Sequence, residues 1–299
     1  MGLYVNPAPT GFRATPTIWT ANNGANNASR LRLDGTKIGD YALASGAFAV
    51  CYAGGFVWVV TSAFAPNNLI YKLDPATGGI LASWAVTNSP TGVCTDGTTL
   101  WISTHSGAGN GWVRQYTYAG AAGLVANVGD NPYGCCYGAG HVWVPNYVSG
   151  TITKVRVSDG AVIGNYATLA NPFRSCHDLT NVWVVQRGAS SVRKFLAATG
   201  ASLGDSATGA DPCGVCTDGT YVYTANRLGN SVTKIRISDG AVIATFAGLA
   251  TAYDIAFDGM FLWVALFGGG TVAKVRPSDG TIFGPYATDI GPTGVAVGY

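Results

Sequence analysis

Short apolar runs, separated by glycine-containing turns, recur along the whole chain. The stretch PTGVCTDGTTLWIST (90–104) contains two such runs around an Asp-Gly turn, and TKVRVSDGAVIGNYA (153–167) contains two more. Runs of β-branched and aromatic residues on either side of an Asp-Gly turn are typical of β-hairpins. The pattern therefore predicts a chain built from short antiparallel strands and tight turns.

The runs belong to a unit of about forty residues that is present seven times. An aromatic residue marks the second run of each unit, at intervals of 39, 43, 42, 40, 40 and 40 residues. These aromatic residues are Trp19, Trp58, Trp101, Trp143, Trp183, Tyr223 and Trp263. Four strands in a unit of this length are typical of a β-propeller blade. The sequence thus predicts an all-β, seven-bladed β-propeller with four antiparallel strands in each blade.

We expect a single β-propeller domain over residues 1–299, whose first blade combines residues 1–46 with residues 292–299. The other blades are predicted at residues 47–89, 90–131, 132–171, 172–211, 212–251 and 252–291. The first unit has no PxGVxV strand before Trp19, and the segment PTGVAVGY (292–299) has that sequence. We therefore predict that the C-terminal strand pairs with the N-terminal blade and closes the ring, which removes free sheet edges.

The charge of the chain is low and balanced. Charged residues make up 11% of the sequence, the net charge is +2, and all 15 acidic residues are aspartate. Such a balance argues against a nucleic-acid surface or a polybasic membrane contact. The most apolar stretch, residues 47–60, is too short to span a bilayer. The N-terminus lacks the features of a secretion signal, so we expect synthesis in the cytoplasm and action on a virion or another exposed surface.

Several segments resemble the repeats of the seven-bladed propellers of the streptogramin lyase, NHL and YVTN group. They are PTGVCTDGTTLWIS, YKLDPATGG and TKIRISDGAVI, and the resemblance extends over nearly the whole chain. Streptogramin lyases use a histidine base with glutamates and a magnesium ion in their last blades. This chain has no glutamate, and His105, His141 and His177 all precede the sixth blade. We therefore predict no catalytic residue, no metal and no cofactor.

Five of the seven cysteines occupy one position of the repeat, in the first strand of their units. They are Cys51, Cys94, Cys136, Cys176 and Cys216, and the same position holds Ala256 and Ala296 in two other units. A position shared by cysteine and alanine indicates a small apolar slot between blades. Cys135 would point away from Cys136 in a strand, which argues against a joint metal site. Cys213, at the entrance of its strand, is expected to be the most reactive thiol.

Two further sets of charged residues follow the repeat. Asp159, Asp239 and Asp279 lie in Ser-Asp-Gly turns, where aspartate is a common turn residue. Lys154, Lys194, Lys234 and Lys274 recur every forty residues. We expect these lysines on outer strands, with their ammonium groups in solvent.

The candidate site is predicted on one face of the ring. One face carries short, uniform turns, whereas the other, the upper face, carries connections that differ between units, and such loops commonly bind ligands. Arg174 and Asp254 replace a glycine that four other units have at the third position of the first strand. Further candidates around the channel mouth are His105, Tyr147, Arg187, Arg227, Phe267, Tyr133, Phe173 and Tyr253. An aromatic, locally cationic mouth suits an anionic or sugar-like ligand.

Two classes of function are compatible with this sequence. The first is a non-catalytic binding or structural interaction module, for example a phage tail or virion decoration protein, whose partner is another protein or a surface glycan. The alternative is a streptogramin-lyase-like or other propeller enzyme with its site at the channel mouth. We favour the module because the residues that lyase chemistry requires are missing from the last blades.

Overall fold

The computed structural model describes residues 15–62, 67–107, 109 and 111–299, so the first 14 residues of the predicted first blade lie outside it. The described residues form 28 strands in seven four-stranded antiparallel sheets. Short 3₁₀ turns occur at Arg187–Ala189 and Phe267–Gly269, and no helix in this part of the chain has the length and apolarity to cross a membrane. The sheets surround a central channel as blades. The predicted seven-bladed β-propeller is confirmed.

The strands of each blade are given from the channel outwards. Blade 1 contains β28 (Pro292–Gly298), β1 (Thr17–Asn22), β2 (Asn27–Arg32) and β3 (Lys37–Ala42). Blade 2 contains β4 (Ala47–Ala53), β5 (Phe56–Thr61), β6 (Leu69–Leu73) and β7 (Ile80–Ala85). Blade 3 contains β8 (Ser89–Thr95), β9 (Thr99–His105), β10 (Gly111–Thr117) and β11 (Ala122–Val128). Blade 4 contains β12 (Cys136–Gly138), β13 (His141–Asn146), β14 (Thr151–Arg156) and β15 (Val162–Ala167).

The last three blades follow the same plan. Blade 5 contains β16 (Pro172–His177), β17 (Asn181–Gln186), β18 (Ser191–Leu196) and β19 (Ser202–Ala207). Blade 6 contains β20 (Pro212–Thr217), β21 (Tyr221–Asn226), β22 (Ser231–Arg236) and β23 (Val242–Ala247). Blade 7 contains β24 (Ala252–Phe257), β25 (Leu262–Leu266), β26 (Thr271–Val275) and β27 (Ile282–Ala287).

The ring closes within blade 1, as the sequence predicted. The C-terminal strand β28 pairs antiparallel with β1, and Ala296 lies opposite Trp19. The hydroxyl of Thr293 is 3.3 Å from the carbonyl oxygen of Ala21 and 3.0 Å from those of Ala47 and Phe48. The closing strand is therefore tied to the next blade as well as to its own.

The core is divided among the blade interfaces. The buried apolar side chains form seven clusters, and each joins two neighbouring blades, with Tyr253 of blade 7 added to the cluster of blades 5 and 6. The repeated aromatic residues are fully buried, and each lies opposite the predicted small slot, as Trp58 does with Cys51 and Trp263 with Ala256. A small side chain opposite each large ring allows adjacent blades to pack at native density.

The repeated lysines connect neighbouring blades, so the prediction that their ammonium groups lie in solvent was wrong. Lys154 is only 2% exposed, and its Nζ donates to the carbonyl oxygens of Ala197 and Ala198 in the next blade, at 2.8 and 2.9 Å. Lys194, Lys234 and Lys274 make the equivalent contact, to Ile237, Pro277 and Leu33. Each ammonium group thus donates hydrogen bonds to carbonyl oxygens of the next blade in place of water.

All seven cysteines are free. The expectation that Cys213 is the most reactive of them is contradicted, because its side chain is fully buried in a cluster with Phe173 and Tyr253. Burial raises the pKa of the Cys213 thiol to about 12. Since the thiolate is the reactive species, we expect the Cys213 thiol to be unreactive while the protein is folded.

Candidate functional site

In each blade, a proline or an alanine stands at the entrance of the innermost strand. The side chain of the next residue lies at the upper end of the channel. Large and small side chains mostly alternate there from blade 1 to blade 7: Thr293, Phe48, Thr91, Tyr133, Phe173, Cys213 and Tyr253. Rings from blades two apart therefore meet over the small residue between them. The ring centroids of Phe48 and Tyr133 are 6.0 Å apart, as are those of Phe173 and Tyr253. The rings form a lid over the channel, which we call the aromatic lid.

Residues of the upper loops are held next to this lid by a repeated backbone hydrogen bond. The residue after the second strand donates its N–H to the carbonyl of the residue just before the first strand of the same blade. Arg187 donates to Asn171 at 3.0 Å, and Arg227 donates to Asp211 at 2.9 Å. The accepting residues have left-handed φ angles, 57° and 56°, which asparagine and aspartate tolerate better than most residues. The local chain geometry thus directs both arginines to the channel mouth.

Below the aromatic lid, Arg174 and Asp254 form an ion pair across the channel. Arg174 Nη1 lies 2.7 Å from Asp254 Oδ1, and both side chains are largely buried. Arg174 Nη2 also donates to the carbonyl oxygen of Thr293, and Asp254 Oδ2 accepts the N–H of Val295. Both charged residues are therefore bonded to the closing strand β28.

The neighbouring blades have glycine at this level because the space is filled. A Cβ atom on Gly92 would lie 2.3 Å from the Cα atom of Gly134. A Cβ atom on Gly214 would lie 2.6 Å from the Cα atom of Asp254 and 2.8 Å from its Oδ1. The backbones of neighbouring blades thus approach closely at this level, and Gly214 leaves room for Asp254 beside it.

A second charged group lies at the channel mouth, between blades 5 and 6. The carboxylate of Asp211 accepts hydrogen bonds from Arg187 Nε and Nη2, at 2.5 and 3.0 Å, and from Arg227 Nε at 2.5 Å. The Arg187 guanidinium also lies over the ring of Phe173, 4.7 Å from its centroid, a distance typical of a cation–π contact. This triad of two arginines and one aspartate is anchored directly on the aromatic lid.

The surroundings shift the protonation equilibria of these groups. Burial favours protonation of Asp211, but the hydrogen bonds and charges of Arg187 and Arg227 outweigh it, so the pKa of Asp211 is lowered. Burial raises the pKa of Asp254, and the neighbouring Arg174 charge opposes that shift. Burial also raises the pKa of Tyr253 to about 12, so its hydroxyl stays protonated.

The structure brings the predicted site residues together at one mouth. Tyr133 contacts His105, Tyr147 and Phe173, with ring centroids 5.9, 5.6 and 4.8 Å apart. His105 lies at the edge of the group, where partial burial lowers its pKa. Contact does not by itself assign a role, so the binding function of these residues stays a prediction.

Two residues of the mouth were missing from the predicted set. Phe48 occupies the same repeat position as Tyr133, Phe173 and Tyr253, and Asp211 stands where the other units have asparagine, serine, threonine or glycine. The comparison between units that singled out Arg174 could have found Asp211 as well. Within the described residues, no group of three or more His, Cys or Asp side chains has an arrangement that could hold a metal ion.

Comparisons with known proteins support the fold. No family profile and no curated protein matches the sequence. A functionally unknown protein from Desulfotomaculum acetoxidans is similar in structure, with a TM-score of 0.79 and 13% identity over 94% of this chain and 98% of that one. A candidate 6-phosphogluconolactonase from Bacteroides fragilis gives a TM-score of 0.77 and 12% identity over 97% and 99% of the two chains.

Hydrazine synthase from Kuenenia stuttgartiensis is also similar, with a TM-score of 0.72 and 16% identity over 84% of this chain and 89% of that one. At such identities, structural similarity reports the fold and not the activity. The resemblance to the streptogramin lyase, NHL and YVTN group stays a prediction. The chain is a seven-bladed β-propeller that shares its architecture, over nearly its whole length, with proteins of different function.

Proposed function

We propose that this protein is a non-catalytic binding module that presents the upper face of the propeller to a macromolecular partner. The observation that carries the proposal is the pairing of the charged side chains at the mouth. Arg174 is paired with Asp254, and Asp211 with Arg187 and Arg227. A general acid or base must reach its substrate with a free proton or lone pair. Here the carboxylates are instead engaged by arginines, which stiffens the mouth.

The loops around the mouth offer apolar side chains to solvent. Val148, Leu228, Phe267 and Ile290 all lie on upper-face connections and are exposed. Apolar side chains around an aromatic centre are a feature of protein interaction surfaces. Of the two partners that the sequence suggested, a protein therefore fits this face better than a surface glycan does.

A closed ring whose sheets have only short, protected edges would suit a protein that works in an exposed setting, such as a virion surface. The role in a phage tail or in virion decoration remains a prediction. The proposed function itself does not depend on that setting, because it rests on the chemistry of one face.

The test compares the two faces. Leu228, in an upper loop of blade 6, is 65% exposed, and Met260, in a lower turn of blade 7, is 70% exposed, so glutamate at either position should be tolerated by the fold. Binders are selected from a displayed random-peptide library against the wild-type protein. We expect most of them to lose at least about tenfold in affinity on Leu228→Glu, since a charge in an apolar contact is costly, and to keep it on Met260→Glu. The reverse pattern would exclude the upper face.

A further inference from the structure

The charges at the upper mouth do not balance. Three guanidinium groups, those of Arg174, Arg187 and Arg227, share two carboxylates, those of Asp254 and Asp211. No third carboxylate forms an ion pair with these arginines in the described part of the chain. Largely buried charges are normally compensated by a partner. Asp130 acts on His105 and forms no ion pair with these arginines, so the two ion-pair groups together keep one positive charge without a counterion of their own.

The excess charge is accessible at Arg227. The Arg227 side chain is 33% exposed, whereas that of Arg187 is 14% exposed. Arg187 contacts Asp211 through Nε and Nη2, but Arg227 contacts it through Nε alone. Both terminal nitrogens of Arg227 are therefore without a protein partner among the described residues. A guanidinium fixed at Nε offers a preorganised pair of donors to an incoming carboxylate.

Exposed apolar side chains lie in the same loop as this donor pair and in the corresponding loop of blade 7. Leu228 is the next residue in the same loop and is exposed. Phe267, also exposed, packs against Tyr253, with ring centroids 5.5 Å apart. Phe267 follows the second strand of blade 7 as Arg227 follows that of blade 6, and the two N–H groups make the equivalent backbone hydrogen bond, to Thr251 and Asp211. A ligand that binds here meets a charge together with exposed apolar side chains of two neighbouring blades.

The shape of the mouth favours a protein over a small molecule. Phe173 and Tyr253 are buried within the aromatic lid, and the Arg174–Asp254 pair fills the channel beneath them. Small-molecule sites are concave and bury most of their ligand. Tightly packed aromatic and arginine side chains are instead typical of the energetic centre of a protein interface.

We propose that the partner is a protein whose contact segment has an aspartate or glutamate between apolar residues. Its carboxylate binds the terminal nitrogens of Arg227, and the flanking apolar residues pack on Leu228 and Phe267. The bound carboxylate supplies the counterion that the two ion-pair groups lack. This inference rests on the proposed function, because it specifies the chemistry of the partner for the same face.

The experiment uses upper-face peptides from the displayed library. These peptides are identified by their loss of affinity for the Leu228→Glu variant. Each peptide is synthesised in two forms, with its acidic residue intact or replaced by the matching amide. Affinities are measured for the wild type, Arg227→Gln and Arg236→Gln. Arg236 is a matched control, because it is in the same blade and also contacts an aspartate, Asp239, through Nε, but is exposed at the lower end of β22.

We expect the amide form and Arg227→Gln each to weaken binding about tenfold or more, because a charge-assisted hydrogen bond is lost. Their combination should weaken binding little further, since both remove one contact. Arg236→Gln should leave the affinity unchanged. Arg227→Gln should also fold, because Asp211 keeps both hydrogen bonds to Arg187.

Other outcomes separate the two proposals. Peptides that bind Arg227→Gln as well as the wild type, yet fail on Leu228→Glu, overturn the acidic contact and leave the upper-face module standing. A library that returns no binder sensitive to Leu228→Glu overturns both. Binding of an acidic oligosaccharide that depends on Arg227, in the absence of any acidic peptide binder, shows that the partner is a glycan and overturns the protein assignment.

Discussion

Arg174 Nη1 lies 2.7 Å from Asp254 Oδ1, so a side chain of blade 5 is bonded to a side chain of blade 7 across the channel. Each residue alone departs from the repeat, which has glycine at this position in four other units. Together they form one structural feature, because each charge is the counterion of the other. The pair also contacts β28, so the same feature supports the closing strand.

Replacing one charged residue of this pair should destabilise the protein more than replacing both. Arg174→Met or Asp254→Leu alone leaves a buried charge without its counterion, which costs about 3–5 kcal/mol of unfolding free energy. The double variant removes both charges and should lose clearly less than the sum of the two single losses. Urea unfolding of the four proteins measures the coupling. Additive losses would show that the two charges do not depend on one another.

The triad at the mouth should make stability depend on pH in the acidic range. The pKa of Asp211 is lowered from its ordinary value of 3.8, so the folded state favours the ionised carboxylate. The corresponding stabilisation is complete above pH 3.8 and is lost as the pH falls through the lowered pKa. Asp211→Asn should therefore be less stable than the wild type at neutral pH, and the gap should narrow below that value. Urea unfolding at several pH values checks this, and a constant gap would contradict it.

The lysine contacts between blades should contribute measurably to stability. Lys154→Met removes two charge-assisted hydrogen bonds to blade 5 while keeping the apolar stem, and we expect a loss of about 2–3 kcal/mol. Arg156→Met is the control, because Arg156 is two residues away on the same strand and its ion pair with Asp159 is exposed. Thermal unfolding should show a clear decrease for the lysine variant and little change for the arginine variant. Equal effects would mean that the contact between blades is not what matters.

Removal of residues 292–299 should lower the melting temperature sharply, because β1 would lose the partner that covers the buried Trp19. A truncated protein that still folds should regain stability when a synthetic peptide with the sequence of 290–299 is added in excess. Calorimetry measures both effects. A truncated protein that melts at the wild-type temperature would show that β28 is dispensable for the ring.

Cys213 should be inert in the native protein. Its thiol is buried and has a pKa of about 12, so a thiol reagent should modify it only after unfolding. Mass spectrometry after brief labelling under native conditions identifies the modified residues. Cys213→Ala should show the same native labelling as the wild type, and any fast modification at position 213 would mean that the aromatic lid opens.

The architecture could be predicted from the sequence because it depends on a pattern that is present seven times. The spacing of Trp19 through Trp263 set the number of blades, and the segment 292–299 identified the closing strand. The mouth was predicted by the same comparison between units. Arg174, Asp254 and the aromatic residues were found because they break the repeat or follow a common strand end.

The pairings could not be predicted, because they depend on distances between blades that a single unit does not contain. Arg174 and Asp254 were two separate candidates until the channel proved narrow enough for them to meet. Lys154 was assigned to solvent because the carbonyls that it binds belong to the next blade. Cys213 was expected at an open strand entrance, and rings from the neighbouring blades cover it.

The odd number of blades has a consequence for the aromatic lid. Large and small side chains can alternate perfectly only around an even ring, so a ring of seven must contain at least one pair of like neighbours. In this protein that mismatch falls between blades 4 and 5, where Tyr133 and Phe173 stack with centroids 4.8 Å apart and planes 29° from parallel. The parity of the ring thus imposes one asymmetric point on a repetitive scaffold. Arg187 lies over Phe173 at that same point, so the charged triad is located where the alternation of large and small side chains fails.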